Sequence, residues 1–143
     1  MKIQIKRFDK TLPLPEYKTV GAAAFDLVAR ETTIIEPHQV GLVPLNIAIS
    51  LPADHWALVS ARSSLHKKGV MLANGIGVGD SDFSGDNDEY KAALLNFTDQ
   101  PVTIERAERI VQMIIMNRKK IELVEVDKLG NPDRGGFGST GRK

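Results

Sequence analysis

Apolar residues come along this chain in short, often alternating runs broken by glycine, proline, asparagine and aspartate, a rhythm that belongs to strands rather than helices. The pattern predicts strands over residues 2–7, 24–29, 32–35, 40–44, 47–51, 56–60, 91–96, 102–104, 110–116 and 121–126. The one helical piece is 63–68, where a serine can cap the first turn, lysines fill the last, and Gly69 can take the left-handed stop conformation. It is short, so tertiary contacts must hold it. No fixed repeat and no internal linker divides the chain. Residues 130–143 differ in kind, being rich in Gly, Ser, Thr and charge and nearly free of core formers. The expected organisation is one all-β sandwich or barrel domain over 1–129 with one short helix, and a flexible C-terminal tail over 130–143.

Composition sets limits on this picture. A chain of 143 residues with 42% hydrophobic content builds one ordinary core. Nineteen basic and eighteen acidic residues leave a formal charge of +1, so no whole-molecule field draws the protein to nucleic acid or to an anionic membrane. Any anion site must be local. The absence of cysteine excludes disulfides, thiolate metal sites and a cysteine nucleophile, and agrees with a reducing compartment. The apolar runs are shorter than a bilayer span, and the lysine-broken N-terminus lacks the apolar stretch of a signal peptide. A cytoplasmic protein with no nucleic-acid and no membrane partner is expected.

Four segments carry candidate chemistry. Arg62, Ser63 and Ser64 stand at the start of the short helix, where free amides, the helix dipole, a guanidinium and two hydroxyls suit phosphate oxygens. In isolation a capped helix with a surface arginine is the more ordinary reading. Residues 74–86, NGIGVGDSDFSGD, place three glycines within five residues, so tight backbone could meet a flat ligand. An aspartate there can act as a general base towards water; a hairpin turn with solvated aspartates is the alternative. Asp86, Asp88 and Glu89 do not match the calcium-loop ligand pattern with its closing glutamate, and a solvated loop is expected.

The third segment is 107–113, AERIVQM. Arg109 looks like an ordinary strand entry, while Gln112 between Val111 and Met113 points opposite to its apolar neighbours, towards a site or towards solvent on an edge strand. The fourth is the tail RGGFGSTGRK, whose glycine amides, hydroxyls and Arg134 can meet phosphate and whose Phe137 can stack on a base. It lacks the lysine and serine or threonine spacing of a Walker loop. His38, His55 and His66 show no ligand spacing and are expected at the surface; Trp56 and Phe25 are expected in the core.

In order and spacing these four segments, with GAAAFDL at 21–27, resemble the five motifs of the trimeric dUTP diphosphatases (dUTPases), over residues 21–141. The resemblance implies a distorted β-barrel or jelly roll, the dUTPase-like β-clip, assembled as a homotrimer with each active site shared among subunits. It implies hydrolysis of dUTP to dUMP and pyrophosphate, lowering dUTP and supplying dUMP for dTMP synthesis, with Asp80 activating the water that attacks the α-phosphorus. Arg62, Ser63, Ser64 and Gln112 would hold the phosphates. Asn74, Gly77, Val78, Gly79 and Lys91 would form the uracil hairpin, and Phe83 would lie under the deoxyribose. Arg134 would reach the terminal phosphate, Phe137 would cover the uracil, and Gly138, Ser139 and Thr140 would close over the phosphates as a lid. Magnesium would be held mainly by phosphates and water, with Asp26 nearby and acting through water.

The chain also departs from the family pattern. Phe83 stands where tyrosine is usual, which removes a phenol hydrogen bond and keeps the ring. Gly79 replaces an aliphatic residue before Asp80 and is expected to remove packing and loosen the backbone there. The hairpin is longer than in many members, with an acidic, widened turn over 86–90. Two other readings are distinguishable: a dCTP deaminase, which shares the Arg-Ser-Ser element but needs a glutamate proton shuttle, and a dUTPase-fold binding module without catalysis. The DSDF motif and tail argue against the first. The complete set of Asp80, Arg62, Gln112 and Arg134 argues against the second.

Overall fold

The computed structural model describes residues 1–136. Among these residues eleven strands account for nearly all the regular structure: β1 (Gln4–Arg7), β2 (Phe25–Val28), β3 (Thr33–Ile35), β4 (Val40–Pro44), β5 (Ile47–Ser50), β6 (His55–Ala61), β7 (Val70–Leu72), β8 (Gly77–Gly79), β9 (Lys91–Asn96), β10 (Val102–Ile104) and β11 (Arg109–Asn117). They form four small antiparallel sheets, ordered β1-β5, β10-β3, β2-β11-β6-β8 and β4-β9-β7, wrapped around one core in a distorted, jelly-roll-like β-clip.

Alternation along β9 drives Ala92, Leu94 and Asn96 inward and leaves Lys91 exposed. On β11 the register against β2 slips between Arg109 and Val111, a bulge that lets Ile110 and Val111 both be buried although they are consecutive. After the slip Gln112 lies opposite Asp26 of β2, and in the regular register with β6 it lies opposite Ser60. Two asparagines are buried and satisfied. Asn96 Nδ2 donates to the carbonyls of Ile35 and Gln100 at 2.9 and 2.7 Å, while its Oδ1 accepts from the Thr98 amide and hydroxyl. Asn46, at φ 67°, bonds both the amide and the carbonyl of Asp9.

Several expectations change. The helical piece is a single 3-10 turn, Leu65–Lys68, and Ser64 at its N-cap makes no side-chain cap bond; Gly69, at φ 83°, does end it in the left-handed conformation. Strands β7 and β8 were not legible in the pattern. Residues 121–126 form no strand: they lie outside every sheet, with Ile121, Leu123, Val124 and Val126 exposed. Gln112 lies on a central strand between β2 and β6, not at an edge. His55 is largely covered, its Nδ1 2.7 Å from Asp54. Trp56 is half-buried, and so is Phe25, which packs against the core. Among the described residues no helix is long and apolar enough to cross a membrane.

Candidate active site

β8 is an edge strand held by pairing to β6, with Gly79 opposite Ala57 and Gly77 opposite Val59. The chain leaves it into a turn closed by the Phe83 amide on the Asp80 carbonyl, then returns along the acidic loop into β9. Between these walls lies a cavity of about 560 Å3 lined by Asn74, Gly77, Val78, Gly79, Asp80, Phe83 and Lys91, together with Asn87 to Tyr90. Seven residues assigned from sequence therefore share one concavity. Exposed Val78 and the backbone of β8 present a flat face, Asp80 is exposed beside it, and Phe83 is 39% exposed, a ring available for stacking.

Gly79 is buried, and its missing Cβ is used. Cε1 and Cζ of Tyr90 would lie 2.7 and 2.8 Å from a side-chain carbon there, and the phenol oxygen closer still. The packing expected to be lost there is supplied instead by the tyrosine ring, which fills the place of the aliphatic side chain. Burial, and secondarily the nearby Asp80 carboxylate, raise the Tyr90 pKa to about 12. The ring meets Phe83 edge to face, centroids 5.2 Å apart at 85°.

The acidic turn is also not uniformly solvated. Asp86 is exposed and touches Lys6, but the Glu89 side chain is only 7% exposed. Its carboxylate accepts from Arg30 Nε and Nη2 at 2.8 and 3.1 Å and from the Asn46 amide at 2.9 Å. That two-pronged pair, which raises the Arg30 pKa, ties the turn to the barrel.

A second group lies apart from this cavity. Asp26 on β2 receives Arg62 Nε on one oxygen at 3.0 Å and Arg109 Nη1 on the other at 3.1 Å. Arg62 also donates to the Arg109 carbonyl at 3.2 Å, and Gln112 Nε2 donates to the Ala61 carbonyl at 3.1 Å. Ser63 and Ser64 are exposed just beyond. The group holds two guanidiniums to one carboxylate, a locally positive surface suited to phosphate. None of Asp26, Arg62, Ser63, Ser64 or Gln112 lines the cavity of Asp80, so a single chain keeps the two groups separate. Arg134 is exposed, and Phe137, Gly138, Ser139 and Thr140 lie outside the described residues.

Sequence reasoning missed three participants. Arg109 passed as a strand entry, because its partner Asp26 is distant in sequence. Glu89 was read as part of a solvated run, and Tyr90 carried only one signal, the unusual glycine at 79. Among the described residues no three His, Asp or Glu side chains converge as a metal cage, and both oxygens of Asp26 are taken by arginines.

Comparison with known proteins gives this geometry its context. The family model of dUTPase matches residues 10–141. A deoxyuridine 5'-triphosphate nucleotidohydrolase of Hydrogenobaculum is 42% identical over the full length of both chains, and one of Helicobacter pylori is 38% identical over 99% of this chain and 97% of that protein. Among solved structures, the dUTPase of Streptococcus mutans matches with a TM-score of 0.76 at 31% identity, covering 85% of this chain and 99% of the other. A variant of the Staphylococcus bacteriophage 80alpha dUTPase, solved with dUpNHpp, matches in fold with a TM-score of 0.84 at 22% identity over 98% of both chains. With a family match across nearly its whole length and relatives at about 40% identity, the chain belongs to the dUTPase family.

Proposed function

We propose that the family's reaction, hydrolysis of dUTP to dUMP and pyrophosphate, is carried out in this enzyme at the cavity between β8 and the start of β9, with Asp80 as the base. The observation that carries this reading is the convergence of Asn74, Gly77, Val78, Gly79, Asp80, Phe83 and Lys91 on one cavity large enough for a nucleoside. Uracil lies against the β8 backbone and the deoxyribose over Phe83. Asp80 takes a proton from water, the water oxygen bonds to the α-phosphorus, and the bond from that phosphorus to the bridging oxygen breaks. Pyrophosphate leaves with that oxygen. Little covalent work falls to the protein, so positioning and charge neutralisation dominate.

Arg62, Ser63, Ser64 and Gln112 hold the phosphate chain in this proposal. Because none of them lines the cavity of their own chain, the site in this proposal is completed by a neighbouring copy in a homotrimer. The exposed apolar residues Ile121, Leu123, Val124, Val126 and Leu129 support this assembly, since a run of that kind requires cover. Arg134 meets the terminal phosphate, and Phe137, Gly138, Ser139 and Thr140 close the lid. Magnesium, when bound with the triphosphate, would supply neutralisation of phosphate charge. Asp26 fits no closer role than one through water, since it already aligns two arginines. A cytoplasmic setting belongs to the same reading, because free nucleotides are met there.

The test is pyrophosphate release from dUTP, dCTP, dTTP and UTP with magnesium, by the parent and by Asp80→Asn. Release from dUTP well above the other three, with turnover lost in the variant, is expected. Equal turnover by parent and variant would remove Asp80 from its role, and preference for another nucleotide would overturn the substrate.

A further inference from the structure

Tyr90 is 6% exposed, and its hydroxyl is the one buried side-chain polar atom without a hydrogen-bond partner among the described residues. An orphaned buried hydroxyl carries a free-energy cost that phenylalanine at the same place would avoid. The surroundings nevertheless hold this residue in place from three sides. Gly79 has no Cβ where the ring sits. The preceding residue, Glu89, is clamped by Arg30 and the Asn46 amide. The Tyr90 amide donates to the Ile47 carbonyl at 2.9 Å, and its carbonyl accepts from the Leu45 amide at 2.9 Å. The ring is thus fixed at the wall of the cavity, its edge on Phe83 and its hydroxyl beside the strand end that leads into Asp80.

We propose that Tyr90 is a positioning residue of the dUTP site: its hydroxyl donates to the Asp80 carboxylate when nucleotide is bound, and its ring sets the face that Phe83 turns to the sugar. The inference rests on the reading of Asp80 as base. Asp80 is exposed, directly follows Gly79 and lines the same cavity as Tyr90, and its side chain has freely rotatable bonds through which an oxygen turns towards the phenol in this proposal. One oxygen held in this way leaves the other aimed at water. With its pKa raised to about 12, the phenol is a protonated donor throughout the neutral range. The phenol that the Phe83 position lacks is thereby supplied from β9's entry, in a space that only glycine at 79 leaves open.

Tyr90→Phe in the full chain removes the hydroxyl and keeps the ring. The kcat for dUTP is expected to fall about tenfold, the scale of one hydrogen bond to a charged group, with KM within about twofold of the parent and the thermal midpoint equal or higher. Tyr90→Leu is expected in addition to narrow the preference for dUTP over UTP, which Tyr90→Phe leaves intact. A parent-like kcat in Tyr90→Phe overturns the donor role, and so does a raised KM with kcat unchanged, which would put the partner on the nucleotide. An unchanged dUTP preference in Tyr90→Leu overturns the role of the ring. Asp80→Asn, measured beside them, separates the two readings. Parent turnover there removes the base itself, whereas an inactive Asp80→Asn with a parent-like Tyr90→Phe removes only the assignment of Tyr90.

Discussion

Asp26 holds Arg62 in place: the guanidinium Nε lies 3.0 Å from one carboxylate oxygen, while Arg109 occupies the other at 3.1 Å. One carboxylate between two guanidiniums leaves an excess positive charge, and it fixes Arg62 at the end of β6 before any phosphate arrives. The ordering entropy of a long side chain is then met in the free protein rather than on binding.

Asp26→Asn keeps the size and removes the charge. KM for dUTP is expected to rise about tenfold as Arg62 loses its alignment, with stability changed by less than about 1 kcal/mol because the arginines are partly exposed. The magnesium concentration giving half-maximal rate is expected to stay the same. A shifted magnesium requirement at unchanged KM would instead place Asp26 at the metal.

Gly79→Ala tests the packing of Tyr90. A methyl group in that space overlaps the phenol ring, and overpacking of this kind costs about 1–3 kcal/mol. Urea unfolding of Gly79→Ala, Tyr90→Leu and the double variant should show the double variant losing well less than the sum of the single losses, a coupling of about 1 kcal/mol or more. Additive losses would mean that the two residues do not compete for one space.

Tyr90 also predicts an alkaline signature. Its folded pKa is raised from 10 to about 12, so its contribution to stability is complete below pH 10 and is lost as pH rises through 12, because the unfolded phenol ionises first. Over that window the parent should lose about 2–3 kcal/mol relative to Tyr90→Phe. Coincident unfolding curves for the two proteins at pH 9 and pH 12 would contradict the shift.

The exposed apolar arm predicts assembly. Light scattering should give the mass of three chains, and replacing Ile121, Leu123 and Val126 by serine should yield smaller species without activity. An active monomer would refute shared sites. Deleting residues 134–143 should remove most activity while moving the thermal midpoint little, since Arg134 and its described neighbours are exposed; a large loss of stability would make the tail structural.

The fold class was legible because the long strands carry their burial in their own alternation, as in Ala92, Leu94 and Asn96. Strand β8 was not: Gly-Val-Gly has no apolar rhythm, and it is a strand only because β6 offers it hydrogen bonds. The converse holds for residues 121–126. Their alternation reads as a strand, but a strand needs a neighbour for its amides and carbonyls, and among the described residues no sheet takes this segment in.

What the sequence by itself determined were local properties: strand periodicity, the left-handed stop at Gly69, and the residue types of the motif that carries Asp80. The tertiary structure alone decided which distant residues meet. It brought Asp26 to Arg62 and Arg109, seated Glu89 on Arg30, and turned Gly79 from a loss of packing into the space for Tyr90. The reason is physical: periodicity records which face of an element avoids water, whereas the partner of a buried charge or hydroxyl depends on register and on how sheets stack, which no short window of sequence contains.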